Sequence, residues 1–228
     1  IEVTGYARDE GMLDMYTGMG IAPGFFSWAI PTGETTRIGT WTKAQLMDGA
    51  SSEEYMSRLM NDDSLNARFS LCSEVGRFCG PIPSGIVGRP MRERVALFGD
   101  AAGICKPTTG GGIGPGFKQV DMLVPLLSKS IIDNDLSDGR MQKLSGTLKE
   151  MKRGQRKKRA LRDAFLTEMD DSELERIFSI WARPEVTHLI NEFGDIENPI
   201  PLGIKMLREI PEFRRLSGRA AKAILWGK

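Results

Sequence analysis

Arg94-Val95-Ala96-Leu97-Phe98-Gly99-Asp100-Ala101-Ala102-Gly103-Ile104-Cys105-Lys106-Pro107-Thr108-Thr109-Gly110-Gly111-Gly112-Ile113-Gly114 is the stretch on which the fold turns. The apolar run Val95–Phe98 predicts a short buried strand over Arg94–Phe98. Gly99-Asp100 then leaves the strand, and the glycine triplet leads into an apolar helix predicted over Phe117–Ile132, with Pro125 marking a bend. Glycine has no Cβ, so main-chain N–H groups there can approach a ligand closely. A helix N-terminus adds unpaired N–H donors and partial positive charge. Such an end stabilises a phosphate or an electron-rich ring edge. Asp100, directly after the apolar run, is placed to accept hydrogen bonds from sugar-like hydroxyls. The competing explanation is a tight glycine turn with no ligand.

Spacing removes three familiar loops. A phosphate-binding Walker loop needs Gly-Lys-Ser/Thr after its glycines, but Ile113-Gly114-Pro115 follows here. In G-x-G-x-x-G, counted from Gly110 and Gly112, the last glycine would fall at Pro115. The G-x-S-x-G nucleophile elbow is absent.

Outward from the loop, the first 45 residues are strand-like. Met15–Met19, Phe26–Pro31 and Thr35–Trp41 are rich in aromatic or β-branched residues, and Pro31-Thr32-Gly33-Glu34 predicts the turn joining the last two. Ser51 and Glu54 form a capping box for a helix carrying Tyr55, Leu59 and Met60. Arg68–Arg77 looks extended. Beyond Asp133 helix formers dominate: Met141, Leu144, Leu148 and Met151 recur at helical spacing, and helices are expected at 171–182, 185–193, 202–209 and 211–226.

Composition bounds the function. The chain has 228 residues, with Lys+Arg 31 against Asp+Glu 30, so no basic excess points to nucleic acid. No apolar run reaches the roughly 18 residues of a membrane span. Three cysteines are no disulfide framework and favour a reducing, cytoplasmic setting. The start at Ile1, with no Met and no leader, suggests a piece of a longer polypeptide.

Gly99-Asp100-Ala101-Ala102-Gly103, followed by Pro107 and Gly110-Gly111-Gly112-Ile113, resembles the second flavin motif of FAD-dependent oxidoreductases, above all the geranylgeranyl reductase family. Upstream, Ala22-Pro23-Gly24-Phe25-Phe26-Ser27-Trp28-Ala29-Ile30-Pro31 and then Gly39 resemble that family's Tyr-x-Trp-x-Phe-Pro…Gly-x-Gly substrate motif. Phe26, Ile30 and Trp41 replace Tyr, Phe and the final Gly. The resemblance implies an α+β fold. It comprises an antiparallel-sheet substrate domain with a helix over 1–85, the returning part of an FAD-binding domain over 86–132 and a helical C-terminal region over 133–228. It implies FAD as cofactor, held by Gly99, Asp100, Pro107, Gly110, Gly111, Gly112 and Ile113. Phe26, Trp28, Pro31 and Gly39 would line the channel for an isoprenoid lipid, with a nicotinamide or ferredoxin as electron donor. The family's G-x-G-x-x-G would belong to a preceding segment. No catalytic acid is evident.

Two other functions fit parts of the pattern. Phe26-Ser27-Trp28-Ala29-Ile30-Pro31 also resembles the Trp-x-Trp-x-Ile-Pro motif of flavin-dependent halogenases, and related aromatic hydroxylases share the Gly-Asp motif. A non-enzymatic lipid- or protein-binding module with a degenerate flavin loop is the third. Cys105 is a redox thiol or a small buried filler; Cys72 and Cys79 lack metal-site spacing, and His188 stands far from both motifs. The basic run Lys149–Arg162 would meet anionic headgroups at a peripheral membrane surface or form a solvated helix face. The tail Arg214–Lys228, ending near Ala223-Ile224-Leu225-Trp226, fits an interfacial anchor or a docked amphipathic helix.

Overall fold

The computed structural model describes residues 1–9, 11–195, 198, 200–214 and 218. The chain is α+β and divides into two compact units: Ile1–Cys79 with Asp163–Gly218, and one built on Gly80–Arg162.

The first unit opens with an antiparallel sheet: β1 (Glu2–Thr4), β2 (Asp14–Tyr16), β3 (Ser27–Pro31), β4 (Thr36–Thr40) and β5 (Ser73–Gly76), in the order β2-β3-β4-β1-β5. Pro31 pairs with Thr36, and the Thr32 N–H donates to the Thr35 carbonyl (2.9 Å), so the turn falls where Pro31–Glu34 predicts it. Side chains alternate across a strand. Ala29, Ile38 and Val3 face a core closed by Met56 and Leu59 of α1 (Ser52–Met60) and Phe69 of α2 (Asn66–Phe69). Each fully buried aliphatic there contributes about 1.5–3 kcal/mol. The expected capping box is present: the Glu54 N–H donates to Ser51 Oγ (3.2 Å) and the Ser51 N–H to Glu54 Oε2 (2.6 Å). Arg68–Arg77 is not extended throughout. Arg68 and Phe69 complete α2, because Phe69 must turn into the core, and the strand begins only at Ser73.

The second unit contains a two-stranded ribbon, β6 (Met91–Arg92) and β7 (Val95–Ala96), then α3 (Ile113–Ile132), α4 (Asp138–Ser145) and α5 (Lys149–Arg162). The buried strand expected over Arg94–Phe98 is corrected to two residues, and Val95 is 52% exposed. Arg94, at φ +58°, belongs to the hairpin turn, and β7 pairs on one side only, which leaves Val95 uncovered. α3 starts at Ile113, a turn earlier than expected, and continues through Pro125. Met91, Leu123, Met141, Leu144 and Leu148 form this unit's core, as the helical spacing of the last three suggests.

The chain then re-enters the first unit through α6 (Asp171–Trp181), α7 (Pro184–Phe193), α8 (Ile200–Glu209) and α9 (Pro211–Arg214), packed around Ile180, Val186, Met206, Ile210 and Phe213. The rest of the helix expected over 211–226 and the basic tail to Lys228 lie outside the described residues, apart from Gly218.

Candidate functional site

In the second unit the glycine-rich loop is held by its own main chain. Gly99–Ala102 forms one 3-10 turn, closed by Gly103 N–H to the Asp100 carbonyl (2.8 Å) and Ile104 N–H to the Gly99 carbonyl (3.0 Å). Gly103 has φ +71°, and a Cβ there would lie 2.2 Å from the Gly85 carbonyl oxygen. That contact belongs to a short pairing in which Gly85 and Val87 donate to Gly103 and Ala102 (both 3.1 Å). Further on, Lys106 donates to the Gly111 carbonyl and Gly110 to the Lys106 carbonyl (2.9 Å each), curling Lys106–Gly111 into a closed turn. Gly110 takes φ +73°. α3 therefore begins at the loop's exit. Among the described residues no side chain caps it; no acidic residue occupies its first turn, and Ile113 is 77% exposed.

Asp100 and Gly112 come together. A Cβ on Gly112 would lie 2.9 Å from Asp100 Oδ1, so the exposed carboxylate stands beside the uncapped helix start in space that only glycine leaves open. Gly99 and Gly116 have no heavy atom within 4 Å of a Cβ position. At Gly111, by comparison, a Cβ would meet Thr109 Oγ1 at 3.5 Å and Lys106 Cε at 3.9 Å. Pro107, by contrast, is fully buried, and its carbonyl accepts from Arg162 Nη1 (2.9 Å).

Three buried side chains that sequence analysis passes over brace this loop. Gln119 on α3 accepts from the Gly99 N–H and donates to the Leu97 carbonyl (2.9 Å each). Gln155 Nε2 on α5 donates to the Cys105 carbonyl (3.0 Å), and Arg162 holds Pro107. Gln119 is detectable in principle as a polar residue in helical register with Leu123. Gln155 and Arg162 are concealed within the basic run. Cys105 is fully buried, with its Sγ donating to the Pro83 carbonyl (3.2 Å). Burial, reinforced by the charge of Asp100, pushes the thiol pKa up, which suits a filler and not a redox thiol.

In the first unit, β3 sends Ser27 and Ala29 into the sheet's buried face and Trp28 to the opposite one. Gly39 lies directly opposite Trp28 in register, and a Cβ on Gly39 would stand 2.1 Å from Trp28 Cζ2. The indole therefore lies across the glycine. Phe26 meets Trp28 edge-on (5.9 Å) and Trp41 edge-on (6.3 Å), and Trp41 packs against Phe25 at 3.8 Å. Trp28, Phe26 and Pro31 are half-buried, and Met15, opposite Trp28 on β2, is 57% exposed. This aromatic face is uncovered on its own unit. The preceding turn is fastened by Thr40 Oγ1 to the Ile21 carbonyl (2.8 Å) and Thr42 Oγ1 to the Pro23 carbonyl (2.7 Å).

No family model matches the chain. It is 28% identical over 192 residues to an uncharacterized protein of Methanocaldococcus jannaschii, covering 82% of this chain and 46% of that protein. It is 27% identical over 210 residues to the digeranylgeranylglycerophospholipid reductase of Methanoculleus marisnigri (89% and 50%). A geranylgeranyl bacteriochlorophyll reductase-like protein of Thermoplasma acidophilum, solved by crystallography, superposes with TM-score 0.75 at 20% identity, over 96% of this chain and 53% of its own. The chain is thus similar in sequence to a digeranylgeranylglycerophospholipid reductase and in fold to a geranylgeranyl bacteriochlorophyll reductase-like protein. It spans about half the length of the curated relatives it matches. Among the described residues, no helix is long and apolar enough to cross a membrane. The exposed His188 lies 3.5 Å from Glu192.

Proposed function

We propose that this chain is part of an FAD-dependent reductase of isoprenoid C=C bonds. The observation that carries the proposal is the uncapped start of α3, with the Asp100 carboxylate beside a glycine that a Cβ would close. A flavin fits this donor set. The first N–H groups of α3, at Ile113 and Gly114, lack intrahelical acceptors and point their partial positive charge at the loop, where an anionic ring edge is stabilised. Asp100 accepts from a polyol hydroxyl. Gly99, Gly110 and Gly111 give the backbone room, and Pro107 sets the loop's shape.

A bound FAD, once reduced by an external electron donor, would supply a hydride to one alkene carbon, the other taking a proton from solvent or an acid. This chain contributes position and dryness. Phe26, Trp28, Pro31 and Gly39 offer an apolar wall to a prenyl chain and keep water away from it. A digeranylgeranylglycerophospholipid or geranylgeranyl diphosphate is the substrate class that the names of the relatives support.

The test uses the natural full-length polypeptide. It should purify with the absorption spectrum of oxidised flavin. Asp100→Ala should lose most of that flavin, whereas Trp28→Ala should retain it and reduce turnover roughly tenfold or more. Equal flavin content in wild type and Asp100→Ala contradicts the assignment.

A further inference from the structure

The basic run on α5 does more than face solvent. Lys152, Arg156 and Arg159 stand at i, i+4 and i+7, on one helix face. With Ser84, Gly85, Ile86 and Gln155 they line a cleft of about 340 Å³ within the second unit. Among the described residues, no carboxylate lies within ion-pair distance of any of the three. Like charges at this spacing repel one another along a helix, so the arrangement costs stability unless an anion answers it. Its partners come from a distant part of the chain: Arg159 Nη2 donates to Ser84 Oγ (3.1 Å). Gly85, at φ +120°, lets the same guanidinium settle against the main chain, since a Cβ there would lie 2.7 Å from Arg159 Nη2. The lining is polar at its buried end as well. Gln155 is buried, its Nε2 is committed to the Cys105 carbonyl, and its Oε1 has no partner among the described residues.

We propose that this cleft is a binding site for the phosphate group of a phosphate ester. Two guanidinium forks match the oxygens of a tetrahedral anion, Lys152 adds a point charge and the Ser84 hydroxyl an additional donor. At about 340 Å³ the cleft is roomier than a bare phosphate needs, so the ligand carries a further polar portion. The site is independent of the flavin assignment and uses none of its residues. Gln155 joins the two regions, because it lines the cleft and holds the Cys105 carbonyl of the loop.

Calorimetric titration of the full-length protein with glycerol phosphate and with inorganic phosphate should give saturable binding at one site. Arg156→Gln and Lys152→Gln should each weaken it roughly tenfold, the size expected for one charge-assisted contact. Arg153→Gln removes an equal charge from an exposed position on the same helix that does not line the cleft, and should leave binding within about twofold. Flotation with vesicles containing phosphatidic acid separates the sources. Vesicle binding that Arg156→Gln abolishes and Arg153→Gln spares identifies a lipid headgroup, whereas glycerol phosphate binding without vesicle binding identifies a soluble ester. Absence of saturable binding to either phosphate probe, or an equal loss in Arg153→Gln, overturns the proposal in favour of diffuse surface charge.

Discussion

The glycine-rich loop of the second unit and the aromatic strand face of the first are built by opposite means. The loop is made of main chain: carbonyls and N–H groups of Gly99, Asp100, Lys106, Gly110 and Gly111 close on one another, and the nearby side chains Gln119, Gln155 and Arg162 serve to hold backbone atoms. The strand face is made of side chains: Phe26, Trp28 and Trp41 lean on one another above an ordinary hydrogen-bonded ladder. Backbone geometry tolerates almost no substitution, whereas stacked side chains can be exchanged for others of similar bulk. This contrast accounts for the departures of the substrate-type motif at Phe26 and Ile30, where one bulky side chain stands for another; Trp41, which stands where the motif has Gly, is not such an exchange.

The sharpest way to break that contrast is Gly103→Ala. Main chain faces main chain at 2.2 Å and φ is +71°, so neither side can yield cheaply. A loss of about 3 kcal/mol or more is expected in denaturant unfolding; a variant within experimental error of wild type means that the loop is more pliable than its geometry indicates. Gln119→Leu comes next. It orphans the Gly99 N–H and the Leu97 carbonyl at similar volume, and should cost about 2–3 kcal/mol and lower flavin retention together. Gly39→Ala should be milder, at about 1–2 kcal/mol, because the Trp28 indole can swing aside. Its mark should be a shift in tryptophan fluorescence and reduced turnover with flavin content unchanged. Loss of flavin in Gly39→Ala would erase the division of labour between the two regions.

The smallest effect lies in alkaline pH. Burial, and then the charge of Asp100, raises the Cys105 pKa above its ordinary 9.0. Burial, and then the hydrogen bond to Asp14, raises that of Tyr6 above 10.0; Tyr16, hydrogen-bonded to Tyr6, is raised by burial. The folded chain holds these protons more tightly than the unfolded chain does. Their stabilisation is therefore intact below the ordinary pKa values and is lost as pH rises through the folded ones. The urea midpoint should fall above about pH 9, with Cys105→Ala flattening the first part of the decline and Tyr6→Phe the later part. A midpoint that stays level across this range refutes the burial argument for both units.

Much of the fold is legible from local pattern. The hairpin of β3 and β4, the Ser51–Glu54 cap and the Met141, Leu144, Leu148 stripe all appear where periodicity and turn residues place them. Arg94–Phe98 misleads because a continuous apolar run records hydrophobicity and not the number of strand neighbours, and β7 has only one. Arg68–Arg77 misleads because Phe69 is pulled into a helical turn by the core it fills.

For the candidate site, residue order alone determined the loop: which positions lack Cβ, where the chain can take positive φ, and where a helix begins. Those are local properties, set by each residue and its immediate neighbours. Tertiary structure alone decided what braces that loop and what the basic helix faces. Gln119 reaches back 20 residues to Gly99, Gln155 reaches 50 to Cys105, and Arg159 reaches 75 to Ser84. No spacing rule spans such separations; packing brings these groups together, because buried polar atoms must find partners wherever the fold supplies them.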